Sequence, residues 1–480
     1  MTNISRIQED LDASGLTIED MRVRPLDNAE KAGANVPFSV EGYVIPYYDI
    51  HGHAVPFYRV KLFDHDPKYK QPKETPNYVY FPKGFLDVAA DSPYIILTEG
   101  EKKAAMATKM GYPTAALGGV ESWRNRVFTI PVEAEMNATD KNIRAKLPSG
   151  TEVKEEFMSP LALGLQDLMD YCIGKGKHLI IIYDTDVKHE TSFNVQRAAA
   201  SLGYELRFKG LAYDRIRQLR LPVGPEGKMA LDDYLINTKK GSLDRLLGEC
   251  MEKRAAFPRH PNTRDYVNKR LQNAKMSRKE MQQVSMAVLC ELDAGGLRLR
   301  SKSELQTYYF DQKTHKLMKA TFTDNASAMT ETAFGHYLYR TFGIGVADQR
   351  LMQWVGTQFT GEDPVEEVNP YRVFARPNIA ADKVILQVSD GQYVELTGEG
   401  DDATDEFPGF AVRDNGEKGV LFEAEQVKPL NVLLLKQEYA RQIKLPQEFW
   451  WADVLSQVRL KDKNKARFLA ALLFYISPWL

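Results

Sequence analysis

The sequence predicts an α/β protein: a parallel sheet flanked by helices, preceded by a small basic β-rich subdomain and followed by α+β accessory domains. Three observations carry this. YIILTE at 94–99 and HLIIIY at 178–183 are apolar runs without alternation, which suits strands covered on both faces. Segments with helical spacing alternate with such runs from about 90 to 240, the pattern of a parallel sheet. Both runs also end in carboxylates, Glu99 after the first and Asp184 and Asp186 after the second. In an open α/β sheet the carboxyl edge of the strands is where ligands bind.

Composition sets limits on function. At 480 residues, and about 150 residues per domain, the chain has room for two to four domains. A net charge of -2 gives no global attraction to a polyanion, so any nucleic-acid surface must be local. Cys172, Cys250 and Cys290 are far apart and form no C-x-x-C, which argues against a disulfide framework and against zinc, and implies cytoplasmic residence. No apolar run reaches the length of a membrane helix, about 18 residues, and the N-terminus lacks the apolar stretch of a signal peptide.

Taken in order, the chain starts with a helix from about Ser5, broken at Ser14 and Gly15, with Thr17 as the N-cap of a second. Tyr43–Tyr48 and Val55–Leu62 read as a hairpin turning at Asp49–Gly52. Arg59, Lys61, Lys68, Lys70 and Lys73 lie here among Tyr58, Tyr69 and Tyr78, a composition suited either to a template- or triphosphate-binding surface or to a solvated lysine face. After the strand that ends at Glu99, EKKAAMATKMG predicts a helix stopped by Gly111. Lys102 or Lys103 at its start could reach a phosphate near the helix N-terminus; a solvated face is the alternative. A strand at 113–117 ends in Gly118 and Gly119. Residues 124–160 interrupt the alternation and read as an insertion, strand-rich, with a turn at Pro148–Gly150. A helix over 161–173, the strand before Asp184, a helix over 192–202, a strand at 204–208 and a helix from Leu231 complete the unit.

Beyond residue 258 the character changes. Residues 259–319 hold 13 Lys or Arg against 6 Asp or Glu, on predicted helices and a small hairpin (305–310 with 316–320), a partner- or nucleic-acid-docking module or solvated basic faces. Residues 326–360 read as helical, 370–425 as strand-rich with a hairpin at Asp390–Gly391, and the last sixteen residues as an apolar helix stopped by Pro478. The predicted division is 1–90, 91–258, 259–365 and 366–480.

Glu99, Asp184 and Asp186 on one rim would repel one another unless a cation neutralised them, and hard carboxylate oxygens suit Mg²⁺ or Mn²⁺. Phosphoryl chemistry is the leading idea. A strand ending in Glu-Gly, then helix, strand, helix and a strand ending in Asp-x-Asp resembles the TOPRIM domain of bacterial-type primases, topoisomerases and some nucleases. LTEGEKKAAMATKMGYPTAALGG resembles its first motif, GPEGKMALDDYL at 224–235 resembles a primase-like segment carrying a further acid (Asp232 or Asp233), and residues 45–82 resemble the segment that precedes TOPRIM in phage and plasmid primases. The match covers roughly 40–240.

The resemblance implies a DNA primase that makes short oligonucleotides from NTPs or dNTPs on single-stranded DNA template by two-metal chemistry. Glu99, Asp184 and Asp186, with Asp232 as a further ligand, would position the ions, while Arg59, Lys61, Lys68, Lys70, Lys102 and Lys103 would hold nucleotide or template. It also implies a replicative helicase as partner. The sequence has no G-x-x-x-x-G-K-[ST] motif, so that helicase is a separate protein or a further part of a longer chain. The rivals are a TOPRIM nuclease, in which the same acids activate water, and a non-catalytic helicase adaptor.

Overall fold

A computed structural model describes residues 3–125 and 161–320, apart from 74, 240, 254–255, 273–275, 277 and 302–305. It also describes 128–129, 154–155, 332–345, 348–361, 366–368, 375–378, 383–397, 410–424 and a few isolated positions beyond. The chain divides into two compact units, Met1–Cys290 and Glu291–Leu480. Among the described residues no helix is long and apolar enough to cross a membrane.

The first unit opens with α1 (Asn3–Asp12) and α2 (Ile18–Met21). Thr17 caps α2 as expected: its hydroxyl accepts from the Asp20 amide while the Asp20 carboxylate accepts from the Thr17 amide, a reciprocal capping box. The expected hairpin forms from β2 (Gly42–Tyr48) and β3 (Ala54–Leu62), antiparallel, in a four-stranded sheet with β1 (Arg24–Pro25) and β4 (Tyr69–Lys70). Tyr43, Ile45, Tyr47 and Phe57 bury one side of it with Ile7 and Leu11 of α1. Ala104, Ala105 and Ala116 of the next layer join the same core.

That next layer is the central sheet, all parallel, in the order β8 (Ile216–Gln218), β7 (His178–Ile182), β5 (Tyr94–Glu99), β6 (Thr114–Leu117). The non-alternating runs are buried throughout: Ile95, Ile96, Leu97, Leu179, Ile180, Ile181 and Ile182 are at most 1% exposed. Ile96, Ile180 and Ile182 pack against Leu231, Tyr234, Leu235, Leu243 and Leu247 from two later helices, Leu231–Asn237 and Ser242–Glu252. The other helices of the layer are Glu101–Lys109, Leu165–Gly174 and His189–Phe208.

Two expectations are corrected here. Residues 204–208 are not a strand: the helix from His189 runs without a break to Phe208, with Ala198, Ala199, Leu202 and Leu206 buried at helical spacing. The edge strand is the short Ile216–Gln218 instead. Asp184 and Asp186 also do not end one strand. The parallel strand stops at Ile182, and Asp186 belongs to a separate two-residue strand, Thr185–Asp186, paired antiparallel with Lys228–Met229.

Of the insertion only the ends are described. Arg124 bridges Leu161, the Ala162 amide donates to the Trp123 carbonyl, and Phe128–Thr129 pairs antiparallel with Lys154–Glu155, so the excursion leaves and returns at one point. Pro148–Gly150 lie outside the described residues, as does the expected C-terminal helix.

The helix Arg278–Gly295 carries the chain into the second unit. There Gly296–Ser301, Thr307–Asp311, Lys316–Lys319 and Glu366–Val368 form one sheet, and Ala375–Asn378, Lys383–Ser389, Gln392–Thr397 and Phe410–Asp414 form another. Helices Ala333–Phe342 and Gln349–Gly361 match the helical expectation where 326–360 is described, and the hairpin at Asp390–Gly391 forms. Phe410–Asp414 falls within the stretch read as strand-rich, whereas the strand Gly296–Ser301 lies where the sequence reading has none.

Candidate active site

Glu99 is the last residue of β5, and Thr98 pairs in register with Ile182, so Glu99 and Asp184 emerge from neighbouring strand ends. Gly100 follows with φ 91°, a backbone conformation that L side chains avoid, and its amide donates to the Leu117 carbonyl at 2.8 Å. This turn starts the helix Glu101–Lys109 directly over the strand end, and its first turn brings Lys103 back over the rim. The Lys103 ammonium donates to Asp184 Oδ1 at 2.5 Å and lies 3.8 Å from Glu99 Oε1. Burial pushes the Glu99 carboxyl up, and the Asp184 carboxylate beside it adds to this; Lys103 pulls the other way, and the net shift is upward. Burial alone would lower Lys103, but Asp184 and Glu99 outweigh it and the ammonium is held above its ordinary range.

A second pair of acids approaches from the helix Leu231–Asn237. Asp232 is buried and accepts from the Ser14 hydroxyl at 3.2 Å. Asp233 is shifted upward, first by burial and then by Asp232 and Asp184, with Lys103 opposing. Lys103 is therefore the common cation in the field of Glu99, Asp184, Asp232 and Asp233.

Asp186 is used differently. Its carboxylate accepts from the Lys188 amide at 2.8 Å and lies 3.7 Å from the Lys228 ammonium, so it fastens the turn into the helix at His189. Among the described residues no three His, Cys, Asp or Glu side chains gather closely enough to hold a metal ion.

The six basic candidates part company as well. Arg59 reaches Glu101 Oε1 at 2.7 Å, and the Tyr47 hydroxyl donates to the same oxygen at 2.6 Å, with Glu101 buried. Burial pushes the Glu101 carboxyl up, but the Arg59 charge and these hydrogen bonds outweigh it and hold it below its ordinary range. A Cβ on Gly118 would stand 2.9 Å from the Arg59 guanidinium, which explains a glycine there. Lys102 donates to the Asp10 carbonyl at 3.1 Å and to its carboxylate at 3.3 Å. Lys61 lies over the Tyr69 ring, 4.7 Å from its centroid, and Lys70 donates to the Asn35 carbonyl at 3.0 Å. Burial lowers the Lys61 ammonium, Asp10 opposes, and the charges of Lys102 and Lys68 lower it further.

Nothing in the sequence around Asp10, Ser14, Glu101 or Tyr183 marks them as parts of the site. Their roles arise from contacts of up to 218 residues in separation, as between Ser14 and Asp232, which no local spacing announces. Tyr183, beside Asp184, is 3% exposed and its hydroxyl has no partner among the described residues, in the combined field of Glu99 and Glu121.

No family model matches the chain, and no curated protein does. Among solved structures, it is remotely similar to a DnaG primase catalytic domain bound to single-stranded DNA, with TM-score 0.31 and 13% identity over 61% of this chain and 90% of that one.

Proposed function

We propose that this chain is a TOPRIM-type nucleotidyltransferase of the primase class, which joins NTPs or dNTPs on single-stranded DNA and works beside a replicative helicase. One observation carries the reading: adjacent parallel strands deliver Glu99 and Asp184 to the carboxyl edge of the sheet, with a lysine between them. Two carboxylates held together against their repulsion suit Mg²⁺ or Mn²⁺, since Mg²⁺ commonly takes one or two protein carboxylates and leaves its other positions to water and phosphate. Glu99 and Asp184 would hold the ion, with Asp233 near; Asp186 and Asp232 are engaged elsewhere. When bound, the metal supplies charge neutralisation at the triphosphate and activation of the attacking hydroxyl.

The chain's own residues supply the rest. Asp186 and its turn keep Asp184 at the rim. Lys61, Lys68 and Lys102 attract the strand or the triphosphate by charge, and the Tyr69 ring holds Lys61 through a cation–π contact. The buried Arg59–Glu101 pair ties this patch to the helix that carries Lys103, so template surface and acidic rim move together.

The test is an assay of the full chain with single-stranded DNA, NTPs or dNTPs and Mg²⁺ or Mn²⁺, scored for synthesis and for degradation. New oligonucleotides that vanish with Asp184→Asn support the reading, and degradation lost with the same substitution supports a nuclease. The Lys103 bridge favours one other reading, a non-catalytic helicase adaptor, because an ammonium already balances the acids. A wild-type chain inert in both assays that still binds a helicase would establish that reading.

A further inference from the structure

We propose that Lys103 is a built-in counter-ion: in the metal-free protein it holds Glu99 and Asp184 at the rim, and it competes with the divalent cation that enters there. This rests on the metal-dependent reading above. Lys103 is 17% exposed, and its ammonium spans the two carboxylates, 2.5 Å from one and 3.8 Å from the other. Its stem lies against the Gly100 turn, with Cδ and Cε 3.8 Å from where a Cβ would stand. The charges that face it are Glu99, Asp184, Asp232 and Asp233, all acidic.

An ammonium and a hard dication at hydrogen-bonding distance from the same Asp184 carboxylate repel one another, and Lys103, at 17% exposure, is only partly screened by solvent. Metal entry therefore requires Lys103 to release Asp184. A lysine carries its charge on a flexible four-carbon stem, so the ammonium can withdraw a few ångströms while its Cα stays in the helix. Released, the ammonium would be free to meet the negative charge that an incoming nucleotide brings to the rim. The same side chain then serves two states, as counter-ion to the acids before loading and to the phosphates after. Lys103 is a positioning residue in the first role, and that role has a readout opposite in sign to a structural one.

The experiment titrates Mn²⁺ alone into the full chain by calorimetry, with Glu99→Gln, Lys103→Met and Lys103→Gln compared to wild type. Removing a competing charge is expected to tighten Mn²⁺ binding by about tenfold or more in both Lys103 variants, while Glu99→Gln weakens it. Without metal, Lys103→Met is expected to melt below wild type, and saturating Mn²⁺ closes the gap. Lys103→Gln keeps a hydrogen-bond donor for Asp184, so it separates the lost charge from lost folding. Equal or weaker binding in the Lys103 variants, with Glu99→Gln still weaker than wild type, overturns the proposal and leaves the metal site standing. No binding by wild type or by either Lys103 variant removes the metal site and the proposal together. Lys103 variants that unfold and are not restored by Mn²⁺ also count against it, because the cation should take over the neutralising role.

Discussion

Glu99 and Glu101, two residues apart, face opposite electrostatic problems, and their pH responses should have opposite signs. Glu99 is shifted upward in the fold, so the folded state binds its proton more tightly than the unfolded chain does. Stability is then lost as pH rises from the ordinary glutamate range through the raised value. Glu99→Gln removes that loss, and thermal melting without metal from mildly acid to neutral pH should show a flatter profile for the variant. Glu101 is shifted downward, so its contribution is present above the ordinary range and is lost as pH falls through the depressed value. Arg59→Met would leave Glu101 buried beside Tyr47 without its cation, a change expected to cost about 3–5 kcal/mol in denaturant unfolding. The Arg59→Met, Glu101→Gln double variant should cost much less, since no uncompensated charge remains. Equal losses for single and double variants would place the energy in packing rather than charge.

At the level of elements, strands and turns with a local physical signature were legible. Tyr94–Glu99 and His178–Ile182 announce themselves because a strand covered on both faces needs apolar side chains on both, and Thr17 because a hydroxyl before a helix has an amide to satisfy. The misread segment shows the limit. YELRF at 204–208 alternates like a strand, yet Leu202 and Leu206 continue the buried stripe of the helix from His189, and Glu205 and Arg207 are buried too. Five residues cannot distinguish the two periods when tertiary packing buries both kinds of position. Asp-x-Asp failed for a related reason: period two does not reveal that the strand stops at Ile182 and that a new pairing takes Asp186. The long helix makes one steric demand at Gly203, where a Cβ would stand 2.6 Å from Pro258 Cγ and 3.1 Å from Phe257. Gly203→Ala should destabilise the chain by about 1–3 kcal/mol through overpacking, read as a lower denaturant midpoint with unchanged slope. On the hairpin, Lys68→Ala with Lys70→Ala should weaken binding of single-stranded DNA and flatten its salt dependence, because fewer counter-ions are released. Unchanged affinity and slope would return both lysines to a solvated face.

Across the whole molecule, the sequence suggests that the sheet is complete once the helix from Leu231 has formed, which would let the chain end near 258. The contacts point elsewhere. His260 meets Phe193 edge-on with ring centroids 5.8 Å apart, and its amide donates to the Tyr204 hydroxyl at 3.1 Å. Val267 in the helix Thr263–Leu271 and Cys290 in the helix Arg278–Gly295 are fully buried, and Arg207 Nη1 donates to Cys290 Sγ at 3.3 Å. These residues belong to the same compact unit as the sheet. The basic residues between 259 and 290 read from composition as a separate module, whereas Val267 and Cys290 on their helices are buried and Cys290 meets Arg207 of the long helix. Composition reports what solvent sees and is silent about which neighbour an apolar stripe meets. A chain ending at 258 would take His260 from Phe193 and Tyr204 and Cys290 from Arg207, and one ending at 290 would keep them. The shorter chain is therefore expected to melt lower and to be cleaved faster by a nonspecific protease than the longer one, with both compared under the same metal-free conditions. Equal melting temperatures and equal cleavage rates would mean that residues 259–290 only lean on the first unit, and the boundary would return to 258.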